Sequence, residues 1–255
     1  MGNYVELARQ ARLEVLKMVH KAQTSHIASN FSVIDIATVL YENLKPEDRV
    51  VWSAGWKAAT IYYFLWKQGK ITKEQLESFP NPPLIGLAEP SVNGVYCSGG
   101  AMSHGQSVSV GMALGLKRAN LPGRVYCVMS DGEWQEGTVW EAAMVAGQHK
   151  LDNLTFITDY NKWTAMGRTK DVADIEPAEE KWQAFNWQTA QVDGHDYNRI
   201  EFSIQAVQQS TIKKPKMIIA HTVKGKGVSF FEDHLLYHYK YVDDQEFSNA
   251  VKELT

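Results

Sequence analysis

A chain of 255 residues, 44% of them hydrophobic, is long enough to bury a full core as one domain, or as one large domain with a tail. Its formal net charge of −3, with basic residues scattered along the chain, excludes a nucleic-acid footprint. Two cysteines make no disulfide framework, no apolar run is long enough to span a bilayer, and the polar start lacks a signal core. A cytoplasmic protein is the expectation.

Residues 4–22 repeat apolar positions at helical spacing (Leu7, Leu13, Leu16, Val19). Val33 to Tyr41 predicts a second helix and Val50 to Ser53 a short strand, followed by helices over Thr60 to Gln68 and Lys73 to Ser78. The stretch from Pro80 to Gly100 holds four of the eight prolines and predicts a long surface loop, a place where function concentrates. Helix returns over Gln106 to Arg118, then an apolar strand from Val125 to Met129 with Cys127 as a buried thiol. A helix over Glu136 to His149 and a strand over Leu154 to Thr158 come next. A strand at Thr189 to Val192, a helix near Ile200 to Ile212 and a strand at Met217 to Thr222 complete the pattern, with a C-terminal tail from about 230. Strands alternating with helices in this way predict an α/β fold: a doubly wound, mainly parallel sheet flanked by helices.

The most informative run is Ser130-Asp131-Gly132-Glu133-Trp134-Gln135-Glu136-Gly137, closed by Asp159-Tyr160-Asn161. Asp131 and Asn161 stand thirty positions apart (131 to 161), the length of one strand–helix–strand unit. In a right-handed crossover both strands deliver their C-terminal ends to the same sheet edge, where open α/β sheets bind ligands. Two hard oxygen ligands there suit one Mg²⁺, with a helix N-terminus nearby to face a phosphate. No Gly-x-Gly-x-x-Gly follows the first strand and no Walker run is present, which disfavours a plain nucleotide-binding domain.

The run resembles the thiamine diphosphate motif, Gly-Asp-Gly followed by Asn after roughly thirty residues, and its extended form is similar to transketolase. Other segments fit the same family: Thr24 to Ser29, Asp48 to Trp56, Gly100 to Gly105, Val192 to Asp196, Ala220 to Val228, and Glu232 to His238. Together they resemble the N-terminal, diphosphate-binding half of transketolase, encoded as a separate subunit. The resemblance implies thiamine diphosphate and Mg²⁺ (or Ca²⁺) as cofactors, and transfer of a two-carbon ketol unit between sugar phosphates. It implies a second, pyrimidine-binding chain that supplies the activating glutamate, self-association of this one, an α₂β₂-like assembly, and no turnover by this chain alone.

The resemblance also assigns roles. Asp131, Asn161 and the backbone carbonyl of Trp163 would hold the metal. Gly132 and the amide of Glu133 would approach the diphosphate, and Gly100, Ala101 and Met102 the cofactor rings. His26 and His238 would line the channel and the diphosphate, with His104 beside the cofactor. Glu136 and Glu141 would meet the partner's activating glutamate. His195 and His221 match family segments without a separate chemical argument, and the Lys224-Gly225-Lys226 run could meet phosphate or form a mobile basic loop. Three departures stand out. Ser130 replaces the first glycine, which would cost energy if that position required a positive φ. Ala54-Gly55-Trp56 replaces Lys-Gly-His, and Gly86-Leu87-Ala88-Glu89 replaces Gly-His-Pro-Glu, so two expected channel imidazoles are absent. Those losses leave room for two alternatives: a non-catalytic cofactor-binding or scaffold subunit, or a thiamine diphosphate enzyme of the 1-deoxyxylulose 5-phosphate synthase type.

Overall fold

The computed structural model describes residues 3–255; Met1 and Gly2, the first residues of the polar N-terminus, lie outside them. Five strands form one parallel sheet: β1 (Arg49–Trp52), β2 (Val125–Ser130), β3 (Leu154–Tyr160), β4 (Gln188–Asp193) and β5 (Lys216–His221), in spatial order β1-β2-β3-β5-β4. Among the described residues ten α-helices connect and cover them: α1 (Tyr4–Ala22), α2 (Ile27–Glu42), α3 (Ala58–Lys67), α4 (Lys73–Ser78), α5 (His104–Arg118), α6 (Gly137–Gln148), α7 (Thr169–Val172), α8 (Ala178–Ala184), α9 (Tyr197–Gln209) and α10 (Asp244–Leu254).

Successive strand residues point to opposite faces. Trp52, Tyr126, Val128, Ile157 and Ile218 enter one core, packed by α1, α2, α3, α9 and α10. Val51, Cys127, Met129, Phe156 and Ile219 enter the other, packed by α5, α6 and α8. With both faces covered, the three central strands are buried almost throughout, which is why they read as mainly apolar runs.

Four differences from the sequence reading have physical causes. Helix α2 begins at Ile27 rather than Val33 because Ser29, Asn30 and Ser32 are buried polar residues, the latter two with partners inside the fold, and they hide its periodicity. The acidic turn is a 3₁₀ helix over Asp131–Gln135, so α6 starts one residue later than expected. Helices α7 and α8 went unread; only Ala178 and Trp182 of α8 are buried, too few to mark a period. The expected tail from about 230 is ordered. A 3₁₀ turn spans Leu235–His238, and α10, opened by a capping box between Asp243 and Glu246, seats Ala250 and Leu254 in the core beside α1.

Candidate functional site

The register pairs Ser130 with Asp159 and Tyr160 with His221, so Asp131, Asn161 and Thr222 emerge side by side at the carboxyl edge of the sheet. A cavity of about 280 Å³ opens there, and its lining includes His26, Trp56, Leu87, Gly132, Asn161 and His238. A wider cleft of about 630 Å³ lies at the opposite edge, but Asp152 already pairs with Lys117 and Lys213 inside it. The chemistry converges on the carboxyl edge.

Asp131 is fully buried. Its carboxylate accepts from the amides of Gly132 at 2.9 Å and of Lys162, and no side-chain cation pairs with it among the described residues. Burial, and then Asp159, push its carboxyl up to about 7. Asn161 Oδ1 accepts from Trp163 N at 3.1 Å, so the two oxygens converge on consecutive amides, 162 and 163. A carboxylate and an amide oxygen are hard donors that suit Mg²⁺ or Ca²⁺, and a buried carboxylate without a counter-ion is completed by a cation. No cluster of three or more His, Cys, Asp or Glu forms among the described residues. A Cβ on Gly132 would sit 3.5 Å from Thr164, an ordinary contact, so protein packing does not demand glycine there. The missing Cβ leaves the backbone at Gly132 open to close approach from the cavity.

Glu133 is buried with its carboxylate turned inward, accepting from Ser130 N at 2.7 Å, Ser103 N at 2.9 Å and Ser53 Oγ. It ties the ends of β1 and β2 to the start of α5, so its side chain has a structural role. Ser130 adopts φ −105°, and no strain attaches to its replacing glycine. Positive φ occurs instead at His26 (71°), Ser103 (64°) and Lys162 (67°), all of which flank the site. Gly55 and Gly99 cross so closely that a Cβ on Gly55 would lie 2.1 Å from Gly99 Cα. That crossing clamps the proline-rich loop beneath the end of β1 and places Gly100 and Met102 on the cavity wall.

His26 and His238 lie with ring centroids 4.8 Å apart, and Lys224 Nζ is 2.8 Å from His238 Nδ1. Burial and the Lys224 charge hold His26 down at about 4; burial, Lys224 and His26 hold His238 at about 3. Both rings are therefore neutral near pH 7. Lys224 is itself buried, which lowers it to about 8. Trp56 and Leu87 line the same cavity, so the two missing imidazoles are replaced by apolar wall.

Several expected residues lie elsewhere. Ala101, His104 and Glu141 are exposed, and Ala101 and His104 are absent from the cavity lining. Glu136 is half-buried at the start of α6, also outside the lining, with no side-chain hydrogen bond among the described residues. His195 bridges Asp35, at 2.7 Å, and the amide of Val223, at 2.8 Å, and His221 pairs with Gln191. Sequence reasoning missed Ser29 on the cavity wall, and the depth at which Lys224 meets His238. The only signal for Lys224 was the lysine after the fifth strand.

A glycine-walled cavity with a buried, counter-ion-free carboxylate at a parallel-sheet edge suits a diphosphate carried with a cation. The sequence profile of the family described as transketolase, thiamine diphosphate binding domain, matches residues 4–254. The chain belongs to the transketolase family. It is 34% identical over 269 residues to the 6-deoxy-6-sulfo-D-fructose transketolase subunit SqwG of Clostridium sp. (strain MSTE9), covering 98% of this chain and 96% of that one. It is 33% identical over 256 residues to an apulose-4-phosphate transketolase subunit of Phocaeicola vulgatus, covering 96% and 91%. The crystal structure of transketolase from Campylobacter jejuni superposes with a TM-score of 0.91 at 28% identity, covering all of this chain and 43% of that one. The chain is thus a transketolase-type transferase subunit corresponding to the diphosphate-binding part of the longer enzyme.

Proposed function

We propose that this chain binds thiamine diphosphate with Mg²⁺ (or Ca²⁺) at the carboxyl edge of its sheet. With a separately encoded pyrimidine-binding subunit, it would transfer a two-carbon ketol unit from a ketose to an aldose or aldose phosphate. The observation that carries this reading is Asp131, a buried carboxylate without a side-chain counter-ion, next to the Asn161 oxygen. When bound, the cofactor supplies an electron sink for C–C cleavage. Asp131, Asn161 and the Trp163 carbonyl would hold the cation, Gly132 and the Glu133 amide would approach the diphosphate, and Lys224 would add positive charge nearby. His26 and His238, both held neutral near pH 7, would hydrogen-bond substrate hydroxyls rather than carry charge. Gly100 and Met102 would border the cofactor rings, Trp56 and Leu87 would narrow the cavity, and Glu136 would meet the partner subunit.

Calorimetric titration of thiamine diphosphate into the purified chain with Mg²⁺ tests the site. Saturable binding, abolished by chelation and by Asp131→Ala, is expected; binding that survives both would overturn it. Trp56 and Leu87 favour a second reading, a cofactor-holding subunit without turnover or one serving a substrate of the 1-deoxyxylulose 5-phosphate synthase type. Turnover of any ketose donor by the chain reconstituted with its partner half removes the non-catalytic version.

A further inference from the structure

We propose that Lys57 and Asp159 are positioning residues. They fix the side-chain amide of Asn161 with its oxygen turned toward Asp131, and so set the affinity of the site for a divalent cation. The inference rests on the cation site proposed above and concerns residues that do not touch the cation themselves.

Lys57, immediately before α3, and Asp159, on β3, are both fully buried and form an ion pair. Removing two charges from water is expensive, and a well-packed apolar pair often serves stability as well or better. The pair therefore calls for a role beyond holding α3 to the sheet. Asp159 collects donors from four parts of the fold. Lys57 precedes α3, Ser32 Oγ (2.6 Å) comes from α2, Thr222 Oγ1 follows β5, and Asn161 Nδ2 (3.2 Å) follows β3.

An ionised carboxylate has no proton to give, so it can receive only the NH₂ end of the Asn161 amide. The Asn161 oxygen must then face away from Asp159, where it accepts from Trp163 N at 3.1 Å, next to the Lys162 amide held by Asp131. Replacing the carboxylate by a group that cannot accept leaves the amide free to turn its NH₂ toward the cation. Outer partners of metal ligands typically alter metal affinity by about 10–100-fold.

Two charge-neutral double variants separate orientation from charge. Lys57→Met/Asp159→Leu removes the acceptor, whereas Lys57→Met/Asp159→Asn keeps an amide oxygen able to receive Asn161 Nδ2. Free Mn²⁺ is counted by electron paramagnetic resonance while the full chain is titrated with Mn²⁺ in the presence of thiamine diphosphate. The leucine variant is expected to bind Mn²⁺ about tenfold or more weakly, and the asparagine variant within about threefold of wild type. Equal weakening in both would assign the effect to charge or packing and overturn the inference, as would unchanged affinity in the leucine variant. If circular dichroism shows the leucine variant unfolded, Lys57→Met/Asp159→Ala, which removes the same acceptor with a smaller side chain, takes over. A loss of about tenfold or more supports the inference and no loss overturns it. A wild-type chain that takes up no Mn²⁺ overturns the site reading, and this inference with it.

Discussion

Two neutral imidazoles beside a buried lysine make the candidate site responsive to acid. His26 titrates at about 4 and His238 at about 3, both below the usual 6.5, because burial and the Lys224 charge oppose protonation. Both rings bind fewer protons folded than unfolded, so their contribution is complete above about pH 6.5 and is lost as the pH falls toward 4. For His26 the depression corresponds to about 3 kcal/mol. Urea midpoints measured from pH 7.5 to 4.5 should fall more steeply for wild type than for His26→Gln/His238→Gln. Taking the difference removes the contribution of Asp131, whose raised pKa acts with the opposite sign. Parallel curves would mean that the rings titrate normally. At this scale Asp131 and Asn161 were legible, because strand-end spacing alone brings them together. Lys57, Glu133 and the depth of Lys224 were not, because their roles come from burial and from partners distant in sequence.

Among the elements, strands were the easiest to read. β2, β3 and β5 are mainly apolar runs between polar turns, whereas the first turns of α2 and all of α8 escaped because buried polar residues and a lone anchoring tryptophan carry no helical period. What places the loop after β5 in the site is also invisible in the sequence. Asp35 of α2 receives both terminal nitrogens of Arg12, at 2.9 and 2.7 Å, together with His195 and Tyr197. Arg12 Nε also donates to the carbonyl of Lys226, and His195 accepts from the amide of Val223, so the cluster grips both ends of the turn that carries Lys224. Burial alone would raise Asp35, yet the His195 hydrogen bond and Arg12 hold it at about 2. Asp35→Asn leaves a buried guanidinium partly unpaired and should cost about 3–5 kcal/mol in chemical denaturation. Hydrogen exchange should also quicken at Val223 to Lys226. A destabilised variant with unchanged exchange there would show that the cluster only holds α1 to α2.

On the scale of the whole molecule, the two cores are closed on both faces of the sheet while the mouth of the cavity is rimmed with apolar side chains. Leu87 is 40% exposed, Met102 43% and Met166 75%, all on the cavity lining, and Tyr239 hydrogen-bonds the carbonyl of neighbouring Ala165 while 56% exposed. Apolar side chains gathered around one opening mark a surface for association. The chain also spans only 43% of the Campylobacter enzyme that it superposes on, which supplies a candidate for the missing cover. We expect the pyrimidine-binding half to seat on this rim and close the cavity. Met166→Asp places a charge where an apolar contact would form and touches neither core. Sedimentation of the variant with the partner half should show association weakened about tenfold or more, since a buried unpaired charge costs several kcal/mol. Its melting temperature alone should match wild type, because Met166 is mostly in solvent before the halves meet. Association at wild-type strength would place the docking surface elsewhere and leave the apolar rim to the substrate.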